Sequence, residues 1–301
     1  MVRAWVRLKG LGSFLALILL NSVPAVRAAA PQQPKASASP ATAPRLIILP
    51  PKVVAGAQAT LAVLDSQGRL LPNVTVELSG GQKVTSDLTG RALFNAAGQI
   101  GVMVAKISGQ TTSASTTVVD TEDPATPVAP VGSPGGVKVL SYPHVMAIHD
   151  RFTLEGSGFR GAADSNHVYL NDVPCLVVAS SPVSIVALPG PRVPVGDVNL
   201  HLTVIGMDAG KFPVSVVLLE FSGPAEAVNA GSSGKLILHA HGTTEPLMIE
   251  VRNGSLGVIQ LAKGNVQRLK TSGGDENIAP VEVKFLTGGN YSVTARLISA
   301  D

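Results

Sequence analysis

Turn residues recur along this chain at intervals of about 8–12 positions, and the segments between them are too short for helices. Asp65–Gly68, Gly80-Gly81, Asn253-Gly254, Gly273-Gly274 and Gly288-Gly289-Asn290 mark clear breaks. The runs between breaks are about five residues long, and Val74-Thr75-Val76-Glu77-Leu78 alternates strictly between apolar and polar. A period of two is what a strand with one buried face requires. The 31 Gly and 22 Pro among 301 residues supply the breaks, and an apolar content of 45% supplies material for cores. The pattern predicts an all-β chain of short strands packed as β-sandwiches, with no long helix after residue 45.

The first 28 residues follow a different rule. Arg3, Arg7 and Lys9 precede the apolar run Leu11–Leu20, and Val26-Arg27-Ala28 places small residues at the third and first positions before Ala29. This is the pattern of a secretory signal peptide cleaved before Ala29. The apolar run is much shorter than the roughly 20 residues a spanning helix needs, so no membrane span is expected in the mature chain. Residues 29–44 are rich in Ala, Pro, Ser and Gln, and residues 120–136 are rich in Pro and Gly; both read as linkers.

The formal net charge of +3 is misleading in this light. Four of the basic residues lie before Ala29 and the first acidic residue is Asp65, so the mature chain has 19 basic against 20 acidic residues. No run of Lys or Arg follows Arg27. Nucleic acid is therefore not an expected partner. The single cysteine, Cys175, permits no intrachain disulfide.

Three folded regions are expected, at 45–119, 137–212 and 213–301. The first contains Thr60–Leu64, the turn Asp65-Ser66-Gln67-Gly68, the entry Pro72-Asn73-Val74, and the hairpin Thr85-Ser86-Asp87-Leu88-Thr89-Gly90-Arg91-Ala92. On these residues it resembles bacterial Ig-like modules of the invasin/intimin type and the related prealbumin-like repeats. The second contains Phe152-Thr153-Leu154-Glu155-Gly156-Ser157-Gly158-Phe159, then Val168-Tyr169-Leu170, Val173-Pro174-Cys175 and Ser184–Pro189. It resembles the IPT/TIG domain, which implies an Ig-like sandwich and leaves the partner open. Gly156 and Gly158 are expected to let the backbone bend, so that Phe159 enters the core. Asn171-Asp172 stands where this family often has Gly, and both residue types tolerate a turn. The third region carries no family motif of this kind. With it the expected fold is three tandem Ig-like β-sandwich domains after a signal peptide and a Pro-rich linker.

The search for chemistry narrows to a few residues. His239 and His241 lie at i and i+2 on a strand, so both imidazoles share a face, as a two-histidine chelate needs. Glu250 and His201 are the possible third ligands. The competing reading makes the histidines solvent-facing positions opposite Leu236, Leu238 and Ala240, and it is favoured because two ligands do not make a site. Gly156-Ser157-Gly158 lacks the spacing of a nucleophile elbow. Cys175, within Val173–Val178, reads as a buried apolar position rather than a nucleophile. No catalytic residue and no cofactor is expected. Nine aromatic residues remain after Ala29, barely enough for three cores, so an aromatic sugar platform is not expected and polar glycan recognition stays open.

The resulting expectation is an exported, non-enzymatic protein, periplasmic or at the cell surface, acting in adhesion, protein binding or envelope assembly. Glycan binding, or service to a secreted enzyme, is the second reading. A metal-dependent enzyme using His239 and His241 is a remote third. Deleting one unit is expected to leave the others folded.

Overall fold

The computed structural model describes residues 2–3, 45–120, 136–224 and 228–298. Nearly all of the signal peptide, the linker at 29–44 and most of the linker at 120–136 lie outside these residues. The chain is all-β. Among the described residues the one helical element is a 3-10 turn at Ala163–Ser165.

The first core is enclosed by β1 (Leu46–Ile48), β2 (Lys52–Val54), β3 (Gln58–Leu64), β4 (Thr75–Leu78), β5 (Lys83–Thr85), β6 (Arg91–Asn95), β7 (Gly101–Ile107) and β8 (Ser113–Val119). One sheet runs β2-β8-β7-β4-β5; β1, β3 and β6 face it across Leu61, Val76, Phe94, Met103 and Ile107. The turns use the chemistry their residues suggest. Asp65 Oδ1 accepts from the backbone N–H of Gln67 at 2.8 Å and of Arg69 at 2.9 Å, and Gly68 takes φ +79°. These bonds hold the Asp65 carboxyl below the ordinary carboxylate range.

The second core is built from β9 (Lys138–Ser141), β10 (Val145–Ala147), β11 (Phe152–Ser157), β12 (Asn166–Leu170), β13 (Val173–Pro174), β14 (Leu176–Ser180), β15 (Ser184–Leu188), β16 (Gly196–Val204) and β17 (Met207–Ser222). Its two layers are β9-β11-β15-β14 and β13-β12-β16-β17. Phe159 is 3% exposed in this core. Asn171 takes φ +52° and its Oδ1 accepts from the N–H of Asn199, so Asn fills the glycine-like turn.

The third core uses β17 again, with β18 (Ser233–His241), β19 (Met248–Asn253), β20 (Ile259–Leu261), β21 (Val266–Lys270), β22 (Ile278–Phe285) and β23 (Val293–Leu297). One layer is β17-β18-β22-β20 and the other β23-β19-β21. The backbone of Val2–Arg3 lies antiparallel along the outer edge of β23.

These cores are not beads on a string. β3 pairs with β14 at Thr60 and Ser180, which joins strands of the first and second cores into one seven-stranded sheet. β17 is a 16-residue strand that serves two cores. Val214 and Val216 belong to the second core, whereas Val217 and Leu219 belong to the third. Side chains alternate across a strand, so the two cores take opposite faces of the same strand. A boundary at 212/213 falls inside this strand. Cutting the chain at either junction would expose apolar side chains that the neighbouring unit now covers.

Candidate functional site

His239 and His241 project from the same face of β18, with their rings parallel and centroids 5.9 Å apart. Leu236, Leu238 and Ala240 fill the third core on the other face. Register with β17 decides what the imidazoles meet. Glu220 lies opposite His239, with Ser222 and Leu218 as the next positions on the same side. His239 Nε2 is 2.8 Å from Ser222 Oγ, and His241 Nε2 is 3.4 Å from Glu220 Oε2. The acid therefore pairs with one histidine and the hydroxyl with the other. These two pairs do not line up as the acid, base and nucleophile of a relay.

The histidines border a groove of about 720 Å³, to which Asp197 and Ser215 contribute from the second sandwich and Thr243, Glu245 and Asp275 from the third. Gly242 lets the chain cross here: a Cβ at this residue would stand 2.4 Å from the carbonyl oxygen of Val216. Asn277 fixes the floor, donating from Nδ2 to the carbonyls of Thr243 and Glu245 at 3.1 and 2.6 Å.

The proposed third ligands stand elsewhere. His201 is on β16, where Nε2 lies 3.1 Å from Asp208 Oδ1. Glu250 is on β19, in the opposite sheet, with its carboxylate held by Arg252 at 2.7 Å and Arg296 at 2.9 Å. Those two hydrogen bonds hold the Glu250 carboxyl below the ordinary range. Among the described residues, no group of three His, Cys, Asp or Glu side chains stands close enough to hold a metal ion.

The glycine motif of the second sandwich has two separate causes. Gly158 takes φ +77°, a conformation that favours glycine. Gly156 does not have a positive φ. Its reason is room: a Cβ would lie 2.0 Å from the carbonyl oxygen of Lys138 and 2.6 Å from the ring of Phe159. The motif thus seats Phe159 beneath β9 rather than exposing Ser157, which is 3% exposed. Cys175 sits where β13 gives way to β14, half-buried against the second core, and burial pushes its thiol up to about 11.

Residues 142–217 match the family model of the IPT/TIG domain. The chain carries an IPT/TIG domain. The match takes in the second core from Tyr142 onward, leaving out Val137 and β9, and ends within β17, at Val217, the first β17 residue of the third core. No curated protein matches the sequence. Among solved structures, SGBP-B of the Bacteroides ovatus mixed-linkage glucan utilization locus, in complex with a mixed-linkage heptasaccharide, is 11% identical over 83% of this chain and 74% of its own, with a TM-score of 0.25. Domains 5-6 of the S-layer protein SbsC are 14% identical over 55% of this chain and 91% of theirs, at 0.23. The insect immune protein hemolin is 12% identical over 81% and 76%, at 0.25. At such scores nothing about this chain's ligand follows from them.

Sequence reasoning missed one constellation entirely. β21 was not expected, and it brings Arg268 beside Glu250 on the outer face of the third sandwich. The signal was present as alternation in Val266-Gln267-Arg268-Leu269-Lys270. A search for runs of basic residues passes over it, because alternate strand residues point to opposite faces.

Proposed function

We propose that the mature chain is exported by cleavage before Ala29 and acts without catalysis in adhesion, protein binding or envelope assembly. It works in the periplasm or at the cell surface. Its units are an Ig-like module at 45–119, the IPT/TIG-like unit at 137–212 and the C-terminal sandwich at 213–301. The observation that carries this reading is the continuity of sheet from one core to the next through β3/β14 and β17. Such junctions fix the spacing and orientation of loops on different sandwiches, which suits a scaffold that presents several surfaces to a large partner. Loop tips and strand edges supply the contacts, with main-chain hydrogen bonds where an extended segment adds to an edge.

The test is retention of a protein partner by the purified mature chain from an envelope extract, with a cytoplasmic extract of the same cells as control. A partner held only from the envelope extract, together with a mature N-terminus at Ala29, is the expected result. Metal-dependent turnover of a substrate, abolished by His239→Ala, would replace this reading with the enzyme one.

A further inference from the structure

The outer face of β23-β19-β21 concentrates positive charge in a chain that is nearly neutral overall. In register across these three strands stand Arg296, Glu250 and Arg268. Arg252 is two residues along β19 and Lys270 two along β21, both on this same face. Ile249, Val251, Val293 and Ala295 point the other way, into the third core. Four cations therefore share the face with one carboxylate.

The arrangement goes beyond a set of surface ion pairs. The Glu250 side chain is 5% exposed although it points away from the core, because arginines cover it. Each guanidinium approaches it through Nε, Arg252 at 2.7 Å, Arg296 at 2.9 Å and Arg268 at 4.0 Å. A guanidinium has five N–H donors, so an Nε contact leaves its Nη edge available. The arginine side chains remain 50%, 51% and 71% exposed. Glu250 thus acts as a buried anchor that orients three forks outward, which reduces the side-chain entropy an incoming anion must remove.

We propose that this face binds a carboxylate-bearing polysaccharide. Guanidinium forks match carboxylates by paired hydrogen bonds, a geometry lysine lacks. Arg268 and Arg296 stand two strand spacings apart, about 10 Å, and so suit an extended polymer with repeated anions. The face offers side chains only, because the main-chain groups of β19 are spent on ladders to both neighbours. A peptide laid across it could not add as a strand, because the main-chain groups of β19 are already paired on both sides. The face has no aromatic ring for stacking a nucleic-acid base. Its exposed apolar side chains, Met248 and Val266, lie on strands flush with the sheet and suit the apolar face of a sugar ring better than insertion into a bilayer. This inference is independent of the protein partner proposed above.

The experiment is calorimetric titration of the mature chain, beginning at Ala29, with polygalacturonate, with the fully methyl-esterified polymer as the neutral control. Binding to the acid form alone, weakened by salt, is expected. Arg268→Gln and Arg296→Gln should each weaken it about tenfold, the loss of roughly one charge-assisted hydrogen bond. Lys211→Gln, the same charge change on the second sandwich, should leave it unchanged. Arg268 makes the longest contact to Glu250, so its variant keeps the test valid if removing Arg296 disturbs folding; unfolding curves check both. No binding, equal binding to the esterified polymer, or unchanged affinity in a folded Arg268→Gln variant overturns the proposal. So does binding to polyglutamate, single-stranded DNA or anionic phospholipid vesicles as tight as to polygalacturonate.

Discussion

Cys175 shows how a single residue's chemistry depends on where a strand breaks. Val173–Val178 is apolar enough to be one strand, yet the ladder stops at Cys175 and the residue is left half-buried rather than enclosed. Partial burial still penalises the thiolate and pushes the titration up to about 11. The folded state prefers the neutral thiol, so this preference costs nothing below the free thiol's titration. Stability is lost as pH rises from there through about 11. At pH 8, alkylation by iodoacetamide should be about 100-fold slower in the native protein than in the unfolded chain. Rapid labelling of native protein, or a covalent dimer lost on reduction, would show that the thiol is open to reagents.

Between elements, the junction of the first two sandwiches is held mainly by apolar contact. Ile48 and Leu64 come from the outer side of β1 and β3, and Val178 and Val186 from the outer side of β14 and β15. Burying each of these side chains contributes roughly 1.5–3 kcal/mol, whereas the part-exposed ion pair of Lys52 and Glu155 contributes about 0–1 kcal/mol. Polar groups set the register instead. Thr60 Oγ1 donates to the carbonyl of Gly161 at 2.6 Å, and Ser181 and Ser184 hydroxyls both donate to the carbonyl of Lys52, at 2.6 and 2.8 Å. At Gly161 the two backbones pack tightly, since a Cβ there would stand 2.0 Å from the carbonyl oxygen of Gln58. Gly161→Ala should therefore lower stability by about 1–3 kcal/mol, read as a fall in the melting temperature. Gly98→Ala, in open space, is the control. Equal melting of the two variants would mean that the junction yields without cost.

For the whole molecule, shared sheets predict coupled unfolding. β17 cannot leave the third core without taking Val214 and Val216 from the second. A chain ended after residue 212 loses both, along with the strand that pairs with Val145–Ala147 and with Gly196–Asn199. We expect this truncated protein to melt well below the full chain and to bind a hydrophobic dye. Truncation after residue 222 should preserve the second core better, although it uncovers Val217 and Leu219 on the other face. Equal melting of the two truncated chains would show that the boundary lies before β17. The groove bordered by His239 and His241 draws on the second and third sandwiches, so both truncations should abolish it.

Much of this was determined locally and is legible in the residues. Alternation in Val74–Leu78 and Leu236–Ala240 gives strands and their buried faces, because side-chain direction in a strand has a fixed period. Asp65, Gly68, Gly158 and Asn171 give turns, because their conformations and short-range hydrogen bonds involve only near neighbours. The IPT/TIG motif was legible for the same reason. Even the unbroken apolar run Leu61–Leu64 carries a trace of the junction, since a strand apolar on both faces is a strand buried on both faces. Tertiary structure alone decided the partners across space. It placed Glu250 among Arg252, Arg268 and Arg296 rather than beside the histidines. It gave Gly156 a steric role rather than a conformational one. It merged separate sandwiches through β14 and β17. Cross-strand register joins residues tens of positions apart, and no local period encodes which strand will lie beside which.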